Sequence, residues 1–443
     1  MPTRPFERSA WADAARAASA VAALVWAGSL AAQSGDLAAG AASPPAAAVA
    51  PSPISPAAKP TAPAASASKK SWFHYGKDGL DVGSDDGLFS SRINFRSQMR
   101  FTEPFESPPG NLDEIDAAGE NDLRFRRLRF KMRGHLLKPW IAYKYDLNLL
   151  TGNVLGLSFD VGPEWLRLRV GQWRVDYSRE RADSSGKQQF ADRSIVNRTF
   201  TLDRQKGAMA VGRLAKNTWA DSEYNAGLFT GHGTGLFRRN LAPGADDGSP
   251  MWALRYQWNP LGGGVAFSQS DLLKSRKARL SLAVGAAGNR SAYTRFSSIG
   301  GSQLDGFAAG LPGQYSLRQQ VEEVAFKRRG LSIQHEWHWK RIFDNVQHRA
   351  TRLRGSYLQS GYFFHETWSR IPEQLEIAGR VAFVDPDAAR PGDHLSETAA
   401  AVNWFFRGHG DKLTFDVGRY SVQQNGGTPQ SRIGVRGQWD VTF

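Results

Sequence analysis

The chain closes on Arg432-Ile-Gly-Val-Arg-Gly-Gln-Trp-Asp-Val-Thr-Phe443, and this stretch decides the fold class. Ile433, Val435, Gly437, Trp439, Val441 and Phe443 fall on one side of a strand. Arg432, Gly434, Arg436, Gln438, Asp440 and Thr442 fall on the other. A strand turns successive side chains to opposite faces, so one set sits in oil and the other in water. A soluble sandwich can also end on an amphipathic strand. Its apolar face need not run out to a terminal Phe443 with an aromatic, Trp439, four residues before it.

Upstream the same two-residue period recurs. In Arg92–Phe101, Ile93, Phe95, Met99 and Phe101 oppose Arg92, Asn94, Arg96, Gln98 and Arg100. In Arg127–Arg133, Leu128, Phe130 and Met132 oppose Arg127, Arg129, Lys131 and Arg133. Tyr143, Tyr145 and Leu147 oppose Lys144, Asp146 and Asn148; Leu166, Leu168 and Val170 oppose Arg167, Arg169 and Gly171. Further strands are expected at 252–258, 279–284, 331–340, 352–357, 375–384 and 413–417. No helical spacing of apolar positions appears in this region. A strand and its connection take ~20–25 residues, which makes room for ~14–18 strands; antiparallel closure requires an even number, and sixteen is expected. The fold class is therefore all-β, a transmembrane antiparallel barrel with an aqueous lumen. Its C-terminal strand resembles the assembly signal of bacterial outer-membrane barrels.

Composition agrees with this. The 443 residues contain no cysteine, which excludes disulfides, thiol nucleophiles and thiolate metal sites. Mean hydropathy is −0.44, and no stretch after residue 35 is apolar for the ~20 residues a spanning helix needs. A barrel reconciles membrane residence with polar hydropathy, because every second residue faces water. The N-terminal residues 1–32 read as an export signal. Arg4, Arg8 and Arg16 precede an apolar core from Ala17 to Ala27, and small residues follow at Ser29, Ala31 and Ala32. Residues 33–71 form an Ala/Pro-rich linker with nothing to bury. Residues 72–443 form the barrel.

The formal net charge of +14 acquires meaning from its placement. A lipid-facing arginine at mid-bilayer costs ~2–4 kcal/mol, so basic residues at every second position must face the lumen. Arg127, Arg129, Lys131 and Arg133 then make a column with rungs ~7 Å apart. Arg92, Arg96, Arg100, Lys144, Arg167 and Arg169 add columns on nearby strands. Guanidinium forks match phosphate oxygens in pairs, and weak repeated sites are what conduction requires. The expected cargo is inorganic phosphate, polyphosphate or other small anions. The segment 171–212 alternates poorly and is too long for a turn. Either it folds into the lumen, so that Arg179, Arg181, Lys187, Arg193, Arg198 and Arg204 line a constriction, or it is an exposed loop with solvated charges.

Several motifs then carry a family resemblance: Gly76-Lys-Asp-Gly79, the Arg126-Arg127 pair, and Gly171-Gln-Trp-Arg-Val-Asp-Tyr-Ser-Arg-Glu180. They continue with Phe190-Ala-Asp-Arg-Ser-Ile-Val-Asn-Arg198, Leu202-Asp-Arg204, Tyr357-Leu-Gln-Ser-Gly-Tyr362 and Asn403-Trp-Phe-Phe-Arg-Gly-His-Gly-Asp-Lys-Leu413. Over residues 75 to 443 the chain resembles the phosphate-selective porins O and P. Where family members have proline and phenylalanine after Val175, this chain has Asp176 and Tyr177. The resemblance implies a trimeric, sixteen-stranded porin in the outer membrane of a Gram-negative bacterium. It implies contact with outer-membrane lipid, and delivery through the barrel-assembly machinery by the strand ending at Phe443.

Other readings are weaker. Porins often carry an arginine cluster opposite acids without strong anion preference, which leaves a weakly selective general porin. A plugged structural or adhesive anchor is another. No GxSxG, HExxH or P-loop is present, so neither an enzyme nor a cofactor is expected, and no metal site. His335 and His338 fall on opposite strand faces. Gly231-His-Gly-Thr-Gly235 lacks a following helix pattern and reads as a loop rather than a phosphate cradle. Nucleic acid is not an expected partner, for want of aromatic–basic interleaving. Trp252, Trp258, Trp337, Trp339, Trp404 and Trp439 are expected in the interfacial girdles.

Overall fold

The computed structural model describes residues 73–76, 79–116, 119, 121–231, 233–234, 249–297 and 300–443. The expected export signal and linker, residues 1–71, lie outside them. In chain order the strands are β1 (Phe73–Gly76), β2 (Gly79–Gly83), β3 (Phe89–Glu103), β4 (Asp122–Leu136), β5 (Lys138–Asn148), β6 (Asn153–Val161) and β7 (Arg167–Arg174). Next come β8 (Arg204–Leu214), β9 (Ser222–Phe229), β10 (Met251–Trp258), β11 (Arg279–Ser291), β12 (Arg295–Ser297), β13 (Gly300–Ser302) and β14 (Tyr315–Arg328). The series ends with β15 (Leu331–Asp344), β16 (Arg349–Tyr362), β17 (Leu375–Asp385), β18 (His394–Phe405), β19 (Asp411–Gln423) and β20 (Gln430–Thr442).

Eighteen of these strands share one antiparallel sheet, and β12–β13 form a separate hairpin. β1 and β2 are an added hairpin against the start of β3. The other sixteen close into a barrel, because β20 pairs with the second half of β3 from Val435↔Glu103 to Thr442↔Arg96. Phe95 and Phe443 exchange two further backbone hydrogen bonds, at 2.7 and 3.0 Å. Closure satisfies every strand edge, which the hydrocarbon core demands.

The closing strand behaves as its alternation requires. Ile433 and Trp439 are 60 % and 44 % exposed on the outside, whereas Arg436 and Asp440 are 2 % and 1 % exposed on the inside. The expected strands are all present. Five other strands of the barrel, β6, β8, β9, β14 and β18, and the four of the two small hairpins, β1, β2, β12 and β13, are not among those read from the sequence. The segment 171–212 proves partly regular: residues up to Arg174 complete β7, and those from Arg204 begin β8.

The ends of the barrel differ. The long connections after β3, β7, β9 and β11 leave the barrel at the end opposite the C-terminus, and the connections after β4, β6, β8 and β10 at the end that bears it; in an outer-membrane barrel the former end is the extracellular one. At the end bearing the C-terminus, exposed Trp140, Trp165, Trp219, Trp258, Trp368 and Trp439 form an aromatic belt with Trp404. Trp252 faces outward at the opposite end of β10, where the other interface runs. Two of the tryptophans expected in girdles lie elsewhere. Trp337 and Trp339 face outward from within β15, because strand tilt carries its middle residues through the apolar band rather than its edge.

Gly171 marks a close approach. Its φ is 122°, and a Cβ there would lie 2.2 Å from the Leu157 carbonyl oxygen across β6–β7. Gly171→Ala is expected to destabilise the barrel by about 1–3 kcal/mol, read as a lower urea midpoint for loss of the heat-modifiable gel band. An unchanged midpoint would show that β6 and β7 relax apart at no cost.

Candidate functional site

The segment 175–203 does not stay outside. It folds into the lumen, and its course is set by wall carboxylates that accept its backbone N–H groups. Arg179 N donates to Glu323 of β14 (3.2 Å), Glu180 N to Glu336 of β15 (2.6 Å), Ile195 N to Glu397 of β18 (2.9 Å) and Ala191 N to Asp416 of β19 (2.7 Å). Gln189 Nε2 donates to Glu376 of β17 at 2.6 Å. Its two short helices, α2 (Arg179–Ala182) and α3 (Ile195–Phe200), sit on this wall. Wall arginines take the remaining carboxylate oxygens: Arg255 bonds Glu323 at 2.6 and 3.0 Å, Arg380 bonds Glu397, and Arg436 bonds Asp416 at 2.8 Å. Burial, assisted by Glu336 and opposed by Arg380, pushes the Glu180 carboxyl up to about 7.

From the other end of the barrel, residues 259–278 fold up to meet this segment. Gln269 N donates to the Lys187 carbonyl (2.9 Å), and Gln269 Oε1 accepts from Gln189 N (2.8 Å) and from Gln359 of β16 (2.9 Å). Lys327 Nζ holds the carbonyls of Ser268 and Ser270 at 2.7 and 2.8 Å. The two segments fill the lumen along β14–β20 and leave it open along β3–β8.

The open side consists of two adjoining cavities of about 780 and 480 Å³ that share Lys131, Asp146, Leu155, Arg174, Ser184 and Arg204. The first reaches Ser107 and Thr151 at the long-loop end, and the second reaches His409 and Thr442 at the other. Eight basic side chains line the first, Arg126, Arg127, Arg129, Lys131, Arg174, Arg181, Arg193 and Arg204, against the carboxylates of Asp146 and Asp192. Arg96, Arg133, Lys144, Arg169 and Lys187 line the second.

Pairing sorts these cations. Arg129 meets Asp146 at 3.1 Å, Arg169 meets Asp160 at 2.6 Å and Asp176 at 2.8 Å, and Arg96 meets Asp440 at 2.8 Å. Lys144 lies 3.4 Å from Asp160, Arg204 lies 3.6 Å from Asp146, and Arg181 is paired with Asp203. Arg126 meets Glu106 at 2.9 Å. Six have no carboxylate within ion-pair distance among the described residues. Arg127 donates to the Gln98 amide oxygen (2.8 Å). Arg174 donates to the carbonyls of Arg181 (3.0 Å) and Asp183 (2.7 Å), and Arg193 to those of Glu180 (2.9 Å) and Asp183 (2.8 Å). Lys131, which lines both cavities, and Arg133 and Lys187, which line the second, are the other three. Asp192, at the loop surface, is raised by burial, but Arg100, Arg127, Arg126 and Arg436 outweigh this and hold it well below the usual carboxylate range.

Five of the sequence-predicted basic residues line neither cavity. Arg92 is bonded to Asp81 at 2.6 Å on the added hairpin. Arg100 is buried between Asp192 (3.1 Å) and Gln438 (2.9 Å). Arg167 lies opposite Val211 and reaches neither cavity. Arg179 is sealed into the wall with Gln257 (3.2 Å) and lies over Phe267. Arg198 turns toward Glu114 of α1 (Leu112–Asp116) at 2.6 Å.

Two cavity-lining cations, Arg126 and Arg174, were not among the residues expected from the sequence. Arg126 enters through a bulge: Gln98 pairs with Arg127, but the next pair is Met99↔Phe125. The extra residue lets two consecutive arginines reach the lumen. Leu123 and Phe125 on one side of it, and Leu128 and Phe130 on the other, stay outside. Consecutive polar residues between Phe125 and Leu128 were the available signal. His335 faces outward and bonds Ser356 (3.1 Å), while His338 is buried in the lumen beside Glu336 (3.0 Å), on opposite faces as expected.

Comparison with known proteins agrees with this architecture. Residues 109–258 match the model of the family described as phosphate-selective porin O and P. The anion-selective porin of Comamonas acidovorans superposes with a TM-score of 0.50 at 9 % identity, over 80 % of this chain and 99 % of that one. The outer-membrane channel DcaP of Acinetobacter baumannii superposes at 0.51 and 9 % identity, over 82 % and 99 %. At such identities the likeness is one of fold. No curated protein sequence matches the chain. The chain thus folds as a closed sixteen-stranded barrel of the porin type, placed in the outer membrane of a Gram-negative bacterium, and over residues 109–258 it is similar to the phosphate-selective porins O and P.

Proposed function

We propose that this porin passes small anions, inorganic phosphate among them, along the basic face of β3–β8. One observation carries the reading: the lumen's carboxylates are largely engaged in holding the segment 175–203, so the remaining passage is lined by cations in excess. An anion entering near Arg126 and Arg127 meets Arg193 and Arg181 across the gap, then Lys131, Arg174 and Arg204, then Arg133 and Lys144. Successive contacts of this kind admit an ion without trapping it. Phosphate gains more than chloride, because its oxygens accept paired N–H donors. The anion selectivity of the similarly folded Comamonas acidovorans porin supports the reading. The exposed aromatic surface of β3–β5, with Phe95 and Phe130 at 5.1 Å, suits a homotrimer contact, and the strand ending at Phe443 suits capture by the barrel-assembly machinery. No catalytic step enters this account.

In planar bilayers under a potassium chloride gradient, the reversal potential is expected on the chloride side. Millimolar phosphate is expected to block chloride current, since one doubly contacted oxyanion held by ~2–4 kcal/mol has a dissociation constant in the millimolar range or above. Cation preference would overturn the reading. Anion preference without phosphate block would reduce it to a general anion porin.

A further inference from the structure

Around most of the barrel the outward positions are apolar, as at Leu254, Val284, Ile377, Val402, Phe415 and Ile433. On β14–β16 they are not. Arg318 lies directly opposite Arg341, and Arg341 directly opposite Arg352. All three are exposed on the outer face. Neighbouring strands are ~4.8 Å apart, so three guanidinium groups stand side by side.

No hydrogen bond or ion pair joins any of them to a carboxylate among the described residues. Of the acids on the neighbouring chain, Asp385 is opposite Arg354 and bonded to it at 3.0 Å, and Asp387 is paired with Arg349 at 3.5 Å and Arg390 at 3.4 Å. Glu322 lies four residues along β14. Arg318 is stacked over Trp252 at 5.3 Å and Arg341 over Phe343 at 5.8 Å, which supports the flat faces and leaves the N–H edges to donate elsewhere. Like charges directly opposite one another destabilise a sheet, so such a row favours a bound anion.

Its level in the membrane follows from strand geometry. β15 starts at Leu331, beside Tyr362 and the aromatic belt of the C-terminal end. Arg341 is ten residues further on. At ~3.4 Å per residue and a tilt of ~40°, that is ~26 Å along the membrane normal, the height of the apolar band. The row therefore stands at headgroup level on the long-loop side, in the outer leaflet. Below it the same outer faces carry Trp339, Trp337, Val324 and Leu358, with Glu322 and His335 between them.

We propose that Arg318, Arg341 and Arg352 dock the phosphorylated headgroup of an outer-leaflet glycolipid, its acyl chains lying on the apolar residues below. Guanidinium forks match phosphate monoester oxygens, and the flanking aromatic rings suit a lipid rather than a freely diffusing ion.

Native mass spectrometry of the purified full chain tests this, with bisphosphorylated lipid A and with the same lipid stripped of phosphate as probes. The porin is expected to retain the phosphorylated form about tenfold better or more. Arg318→Gln/Arg341→Gln/Arg352→Gln is expected to abolish that preference while leaving chloride conductance unchanged. Equal retention of the two lipids by the native porin overturns the proposal. So does an unchanged preference in the triple variant, and so does a variant that loses its oligomer but keeps the lipid, which would assign the row to a subunit interface. Should the triple variant not fold, Arg341→Gln alone is expected to lower the preference severalfold, and an unaltered preference there overturns the proposal equally.

Discussion

Arg127→Glu/Lys131→Glu brings the permeability ratio of chloride to potassium to near unity or below. The two side chains lie on one face of β4 with Arg129 between them, and neither has a carboxylate partner among the described residues. Their charge therefore acts on the permeating ion rather than on a neighbour. At ~7 Å one unit charge changes an ion's energy by roughly 0.6 kcal/mol in water and about 2.4 kcal/mol at an effective dielectric of 20. Two reversals alter four charge units. Even at the water limit this is about 2.4 kcal/mol against the anion, a factor of roughly 60. The bilayer reversal potential reads this directly. The paired Arg169→Gln, which also leaves Asp176 uncompensated and Asp160 with Lys144 alone, shifts selectivity in the same direction but through exposed negative charge. An unchanged potential in the β4 double variant would remove this face of the lumen from the conduction path.

Glu397→Gln/Asp416→Asn raises single-channel conductance and weakens selectivity by releasing the loop. Glu397 accepts Ile195 N at 2.9 Å and Asp416 accepts Ala191 N at 2.7 Å. They also neutralise Arg380 and Arg436, which are 2 % exposed. Leaving a buried charge without its partner costs about 3–5 kcal/mol. The sixteen-stranded ladder is held by its own backbone hydrogen bonds and survives this, whereas the segment 175–203 is held to the wall mainly through such acceptors. Two readouts should move together: larger conductance in bilayers, and new tryptic cleavage after Arg193 or Arg198 in the folded barrel. Native conductance with no new cleavage would show that other contacts, such as those of Gln189 and Lys412, suffice to hold the loop.

The two variants act on opposite halves of one arrangement. Counting charges alone, a lumen rich in both signs resembles the general porins in which arginines face acids across the constriction. Here the acids of β14–β19 are turned against loop amides and wall arginines. The cations of β4, with Arg174, Arg193 and Arg204, face the passage. The segregation, more than the net charge, supports anion passage.

Much of this was legible in the amino-acid order. Alternation in 92–101, 127–133 and 432–443 specified the barrel, the lumen face and the basic columns, because a period of two is a local property of an extended backbone. β6, β8, β9, β14 and β18 escaped for a local reason as well. The outward positions of β8, β9, β14 and β18 include Gly, Ala, Ser, Thr or charged residues, and β6 turns Leu155 and Gly156 to the lumen, which blurs the contrast between faces. The poorly alternating run after Gly171 was recognisable as irregular, yet two destinations for it stayed open.

That destination belongs to the tertiary structure. Glu323, Glu336, Glu376, Glu397 and Asp416 are 144 to 225 residues away in sequence from the amides they hold, so no local pattern couples them. The same distance explains why Arg179 and Arg198, indistinguishable from Arg193 by type and spacing, end in the wall and at the mouth instead of the passage. Periodicity alone determined a closed cylinder with a wet, basic inside, since each strand sorts its own side chains by polarity. Which of those cations remain uncompensated was decided only when the chain closed and brought distant carboxylates within hydrogen-bonding reach of the loop.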